Sequence, residues 1–412
     1  MEENRKITCI VTLHGVGFQT TPNNVVDNSG YADSLHLHLC CAKDMGTILC
    51  DDPGRERQRP GDNGVIYVQS CWRDGEGGSI THEEGLKRLG TWTENRKSII
   101  IDDAPLVPAT EPVSAKSVAH IALIYSDLEL HRDGNDVGAT FITAAMGLFS
   151  AASYVSLGGV GHLLEDAAKA LFGGHNPPPQ VGPPPVSSRP RPDLPKGHNA
   201  PLISVGSQPS LMNALANDVA CYVCYNEQRE RVRSFLREAL TRLARREDVD
   251  KIILNTHSNG TVIAFDVLRH LPDEVTNKIK AFITAGSPLR KYVDLFDWGS
   301  QIQIIYQVEP WYNFWDEYDP VGDPLDPPQK WHLTDKIQQS QEKLFSRIDP
   351  NEEDPFYIGV YDIKVDNLKN SYGDVLPVHN YWDNTKDFVP QLAKIVCAIV
   401  NEEPVIACKE VA

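Results

Sequence analysis

The segment from Ile252 to Leu271, IILNTHSNGTVIAFDVLRHL, constrains the fold more than any other. Its apolar, β-branched start runs through the polar turn Thr256-His257-Ser258-Asn259-Gly260 straight into a helical pattern. A strand that turns directly into a helix is the unit of a parallel sheet, because the helix carries the chain back before the next strand can pair. Comparable apolar runs occur at Ile7 to Leu13, Val65 to Cys71, Ile279 to Thr284 and Ile302 to Val308, with a last β-like run from Phe356 to Val365. Each is short and apolar on both faces, as strands covered by helices on two sides are. Asn217 to Arg245 carries apolar residues at helical spacing (Val219, Val223, Val232, Phe235, Leu236, Leu240, Leu243), and a C-terminal helix is expected over Phe388 to Val400. The pattern predicts an α/β fold with a mostly parallel central sheet flanked by helices.

A chain of 412 residues is long for one domain of roughly 100 to 200 residues, and the excess is concentrated in one region. Residues 176–201 hold 10 of the 29 prolines and sustain neither helix nor ladder hydrogen bonds. An exposed, extended tether is expected there, with a ligand for an SH3-type partner as the alternative. Just before it, Val137 to Leu164 is an uncharged run of 28 residues, longer than the roughly 20 needed to cross a bilayer. Gly, Ala, Ser and Thr dominate it and no basic flank marks an inside end, so a buried helical hairpin or a lid over a cleft is favoured over a membrane anchor. Residues 73–215 are therefore read as an insertion in a single domain spanning 1–412.

The charge is −17, which repels nucleic-acid backbones and anionic lipid headgroups and argues against a nucleic-acid partner. The start, MEENRKITCIVTLHG, lacks the basic, apolar and small-residue regions of a signal peptide. The nine cysteines are an odd number scattered through apolar runs, as buried thiols in the reducing cytoplasm are. Cys221-Tyr-Val-Cys224 has metal-ligand spacing, but without a second pair it is read as coincidence.

Four short stretches carry chemistry. Thr256 to Gly260 resembles the G-x-S-x-G nucleophile elbow with Thr256 in the first glycine position, so Ser258 is either a strained, exposed nucleophile or a plain helix N-cap. The first strand ends in His14-Gly15-Val16-Gly17-Phe18, which resembles the HG-type loop whose backbone amides hold an oxyanion, though such tetrapeptides are also ordinary turns. Beyond the fifth apolar run lies EPWYNFWDEYDPVGDPLDPP, where the D-P-V-G turn makes Asp319 the candidate acid, with Asp316 and Asp323 as rivals and a structural Asp-Pro turn as the alternative. LPVHNYWDN places His379 in a polar loop before the last helix, where the base of a Ser, Asp, His chain order falls. The alternative for His379 is a solvated loop histidine, and His257 is expected to pack or position rather than accept the proton.

Together these stretches resemble the α/β-hydrolase superfamily, nearest the serine esterase and lipase group that includes GPI inositol-deacylase-like proteins. The resemblance covers Ile7 to Trp72 and about Asn217 to the C-terminus, with Ala281 to Leu289 (AFITAGSPL) similar to that group's G-S-P turn. It implies a Ser258, Asp319, His379 triad, with Asn259 and either Val16 or Gly17 supplying the oxyanion amides. Trp311, Phe314 and Trp315, with Tyr312 and Tyr318, form either an apolar collar for an acyl chain or aromatic ester, or core packing. Phosphate-binding, dinucleotide and metal motifs do not occur in the sequence, so no cofactor or metal is implied. The expected activity is cleavage of a carboxylic ester, with a lipid ester among the candidate substrates. A thioesterase or amidase using the same residues, and a catalytically silent binding protein of this fold, are the alternatives.

Overall fold

The computed structural model describes residues 6–15, 32–43, 45–46, 48–49, 65–69, 90–91, 99–100, 106, 117–125, 222, 226–290, 292, 308, 310, 311–319, 321–325, 346–347, 357–358, 360–371 and 377–404. The strands in chain order are β1 (Ile7–Leu13), β2 (Ile66–Gln69), β3 (Gly90–Thr91), β4 (Ile99–Ile100), β5 (Ser117–Ile124), β6 (Val249–His257), β7 (Ile279–Ala285), β8 (Trp311–Trp315), β9 (Ser346–Arg347), β10 (Tyr357–Ile358) and β11 (Val360–Lys364). The helices are α1 (Asp33–Cys41), α2 (Asn226–Arg245), α3 (Asn259–Leu268), α4 (Asp273–Thr276), α5 (Asn367–Asn370) and α6 (Phe388–Asn401).

The main sheet has 9 strands in the order β11-β8-β7-β6-β1-β5-β2-β3-β4. From β11 to β2 every neighbouring pair is parallel, and β3 and β4 close the far edge antiparallel. From β1 the chain lays β2, β3 and β4 toward one edge, returns with β5 to fill the place between β1 and β2, and then crosses to build β6, β7, β8 and β11 on the other side. That reversal lies between β1 and β6, the kind of switch point beside which α/β sheets bind their ligands.

Alternation along the strands divides the core into two layers. Val11, Leu13, Leu254 and Phe282 face a cluster with Phe235, Leu236, Leu240 and Val262 of α2 and α3. Ile10, Ile253, Ile283 and Phe314 face the opposite cluster with Leu35 and Leu39 of α1 and Phe388, Leu392 and Val396 of α6. Burial of such side chains contributes about 1.5 to 3 kcal/mol each, so a sheet apolar on both faces is stable only with helices on both.

Two elements differ from the sequence expectation. β5 lies inside the 73–215 stretch assigned to an insertion, yet it is a central strand paired with β1 over its whole length. Its His120 interrupts the apolar pattern, and the fold satisfies that ring with Thr12 Oγ1 at 2.7 Å and His36 Nδ1 at 3.1 Å. The strand preceding the acid loop is Trp311–Trp315; of the expected Ile302 to Val308 run, only Val308 is described, as a buried bend. Residues 137–164 and 176–201, and Cys221 and Cys224, lie outside the described residues. Cys9, Cys40, Cys41 and Cys397 are free thiols. Among the described residues no helix is long and apolar enough to cross a membrane.

Candidate active site

Register brings the candidate residues to one edge of the sheet. Leu13 pairs with Thr256, His257 with Ala285, and Ala285 with Phe314. The residues that follow (His14 and Gly15, Ser258, Gly286, and the turn from Asp316) therefore leave the carboxyl ends of adjacent strands side by side.

Ser258 joins β6 to α3 with φ 55° and ψ −131°. Among the described non-glycine residues only Ser258 and Glu402 have positive φ. Such a conformation costs on the order of 1 to 3 kcal/mol and persists only where the surroundings impose it. An ordinary N-cap serine is extended and bonds the helix amides through its hydroxyl; Ser258 is not extended and makes no such bond. Its backbone N–H donates instead to Ala285 O at 3.0 Å, and its carbonyl accepts from Thr261 Oγ1 at 2.7 Å.

The turn tolerates Thr256 because the side chain finds both space and a partner. It is fully buried, and its hydroxyl donates to Ile283 O at 2.9 Å. Elsewhere glycine is required. A Cβ on Gly15 would lie 2.3 Å from Ser258 Cβ, and one on Gly260 would lie 2.4 Å from His14 O. The ends of β1 and β6 thus approach as closely as glycine permits.

His379 ends the 3₁₀ turn Pro377–His379, and Asp319 lies in the turn after β8. His379 Nδ1 donates to Asp319, 2.8 Å from Oδ2 and 3.0 Å from Oδ1. That bond fixes the tautomer, leaving Nε2 as the basic nitrogen. Nε2 is buried and makes no hydrogen bond, so a Ser258 Oγ to Nε2 bond is absent in this conformation; catalytic bonds of this kind often tighten only with substrate bound. Gly286, at φ +59°, passes beneath the ring, where an added Cβ would meet His379 Cε1 at 2.7 Å and Nδ1 at 2.8 Å. A Cβ on Gly322 would meet Asp319 Oδ2 at 2.7 Å.

The carboxylate of Asp319 also accepts Val321 N–H at 2.9 Å and Tyr381 Oη at 2.8 Å. Burial pushes its pKa up, but the charge and hydrogen bond of His379, with the bonds from Val321 and Tyr381, outweigh burial and hold the carboxyl below its ordinary value. Neither rival hydrogen-bonds His379. The Asp316 carboxylate accepts the backbone N–H groups of Tyr318 and Asn367, and burial pushes its pKa up to about 6. Asp323 bonds Ser287 O through its N–H and accepts Asn313 Nδ2 at its carbonyl.

The neighbouring histidines are poor bases. Burial lowers the His14 pKa to about 4, and its ring stacks on Tyr125 at 4.3 Å. Burial, then the adjacent His379, lower that of His257 to about 3.

Asn259 is the first residue of α3, where backbone N–H groups have no partner inside the helix and the dipole favours negative charge. Val16 and Gly17 lie outside the described residues. The aromatic candidates for a substrate collar belong to a strand and not a loop. Trp311 packs on Phe265 and Phe282, Phe314 packs on Phe388, and both are buried, as is Trp315, whose ring lies under Lys364 Nζ at 5.6 Å. β8 is covered on both faces, so the burial of its aromatics fits the core-packing alternative. Tyr318, at 60% exposed, is the one residue of the group that reaches solvent. Tyr381 lies in the H-x-Y-W context of His379, but its bond to the acid is not encoded in that local pattern.

The parallel sheet, its helices on both faces and the serine at the β6-to-α3 turn fit the α/β-hydrolase fold. The sequence model of a family described as "Alpha/beta hydrolase of unknown function (DUF900)" matches residues 202–287, which include β6, the Ser258 turn, α3 and β7. Neither a curated protein nor a solved structure matches the chain. Among the described residues no group of His, Cys, Asp and Glu side chains is arranged to hold a metal ion.

Proposed function

We propose that the protein is a serine hydrolase that cleaves a carboxylic ester through an acyl-enzyme intermediate. The observation that carries this reading is a serine held at φ 55° on the same sheet edge as a buried His379–Asp319 pair. Strain of this kind in a non-glycine residue is the mark of a nucleophile elbow at a strand-to-helix turn, although Ser258 itself is 2% exposed in this conformation.

In this mechanism His379 Nε2 takes the Ser258 hydroxyl proton as Oγ attacks the ester carbonyl. Asp319 holds the imidazole by Nδ1 and stabilises the imidazolium that forms. The oxygen that becomes negative is held by the Asn259 N–H and by an amide of the loop after His14, each such donor contributing roughly 3 kcal/mol. His379 then returns the proton to the leaving alkoxide, and water, deprotonated by the same nitrogen, releases the acid. The kinship with GPI inositol-deacylase-like serine hydrolases rests on the motif residues and is part of the same reading, as is a cytoplasmic setting.

Hydrolysis of a graded series of p-nitrophenyl esters, with matched thioesters and anilides, tests this function. Turnover of esters above the other two, lost in Ser258→Ala, is the expected result. Preferred turnover of the thioester or anilide would reassign the substrate class. No turnover of any, by folded protein, would favour a binding role for the fold.

A further inference from the structure

The residue before the nucleophile, His257, makes a contact that the proposed reaction does not itself require. Its Nε2 lies 2.8 Å from the backbone carbonyl of His379. A carbonyl only accepts, so Nε2 carries the proton and the ring is the neutral Nε2–H tautomer. The ring centroid is 4.5 Å from that of His379 and 5.2 Å from that of Trp382. Nδ1 is buried with no hydrogen-bond partner.

We propose that His257 is a positioning residue for catalysis: it ties the nucleophile elbow directly to the backbone of the catalytic base. The inference rests on the serine-hydrolase reading above. Packing alone does not require an imidazole here, since an apolar ring would fill the space without burying an orphaned acceptor. The nitrogen that is used reaches the main chain of His379 itself. His257 is adjacent in sequence to Ser258, so movement of the His379 loop relative to the elbow must break this bond. The Asp319 contact orients the imidazole about its own axis; the His257 contact sets where the base stands relative to Oγ.

The charge environment keeps the device constant through a catalytic cycle. Burial and the His379 charge disfavour the imidazolium of His257, as does His14, against a smaller opposing effect from Asp319 and the bond to the His379 carbonyl. When His379 takes the serine proton, His257 therefore does not compete for it and its donor stays in place.

Histidine-selective ¹⁵N spectra of the wild-type protein, combined with kinetics of two variants, test the assignment. The wild type is expected to show a neutral Nε2–H tautomer for His257 from pH 8 to pH 5. His257→Phe, which keeps a ring and loses the donor, is expected to lower kcat and the rate of fluorophosphonate labelling by about 10²-fold with KM little changed, the size of loss that misplacing a catalytic group by about 1 Å produces. His257→Gln, which restores an N–H, is expected to recover most of that loss even if its melting temperature stays as low as that of the Phe variant. A protonated or Nδ1–H imidazole in this range would overturn the inference. So would His257→Phe labelling at the wild-type rate, or losses in both variants that follow melting temperature alone. A wild-type protein that fails to label would instead overturn the serine-hydrolase reading beneath it.

Discussion

Tyr381 stands between the two acidic residues of the acid turn: its hydroxyl donates to Asp319 Oδ2 at 2.8 Å and accepts the Asp316 N–H at 3.0 Å. One buried phenol thus orients the carboxylate that holds His379 and satisfies the backbone of the turn that carries it. Burial, then the neighbouring Asp319 and Asp316 charges, push its own pKa well above the ordinary value, so it remains a donor at any working pH. Tyr381→Phe removes both bonds and leaves a buried N–H orphaned. A loss of about 1 to 3 kcal/mol in urea unfolding is expected, with kcat reduced while KM holds.

Asp319→Asn keeps the shape of the acid but presents an amide to His379 Nδ1 and favours the wrong tautomer. A fall in kcat on the order of 10⁴ is expected. Asp323→Asn, whose backbone makes the bonds that tie it to Ser287 and Asn313, should retain activity within about an order of magnitude, since it lies outside the His379 hydrogen bonds. Parallel steady-state assays of the two variants decide between them; a reversed order would move the acid by four positions.

Gly286 is a position where one methyl would reach both the base and Tyr381. A Cβ there would stand 2.7 Å from His379 Cε1 and 2.8 Å from the Tyr381 ring, on a residue with φ +59°. Gly286→Ala is expected to abolish ester turnover and to cost at least about 1 kcal/mol from backbone conformation alone, read as a fall in the urea midpoint. Ser258→Gly does the opposite to stability. It relieves the strain at φ 55° and should stabilise the fold by about 1 kcal/mol while eliminating activity.

Asp316 gives the stability curve a pH dependence of definite sign. Its pKa rises from 3.8 to about 6 on folding, chiefly through burial, so the native state binds that proton more tightly than the unfolded chain. The stabilising contribution is fully present below about pH 4, where both states are protonated, and is lost as pH rises through about 6, by about 3 kcal/mol for a shift of this size. Relative to wild type, Asp316→Asn should therefore become more stable between pH 4 and pH 7. Urea unfolding at the two pH values checks the sign, and a change in the other direction would contradict it.

The sheet and the chain order of the candidate site were legible because both leave local traces. β1, β6 and β7 each hold a contiguous apolar stretch (Cys9 to Val11, Ile252 to Leu254, Ala281 to Ile283), and the Ser258 turn is written in contiguous small and polar residues. β5 was hidden because Ala119, His120 and Ala122 dilute its pattern, and the Thr12 and His36 partners that make His120 tolerable are remote in sequence. β8 was hidden by Asn313, which is buried between Thr284 and Asp362, and by aromatics that suit a substrate collar as well as a strand. The roles of Tyr381 and His257 depend on contacts between residues 62 and 122 positions apart, and no local pattern encodes such contacts.

The central claim is that Ser258 is an activated nucleophile. Reaction of the full chain with a fluorophosphonate at neutral pH, followed by peptide mass mapping, tests it without knowledge of the substrate. The account predicts a single adduct on Ser258, absent in Ser258→Ala and strongly slowed in Asp319→Asn. An unmodified Ser258 in folded protein, or an adduct on another residue at comparable rate, would contradict it.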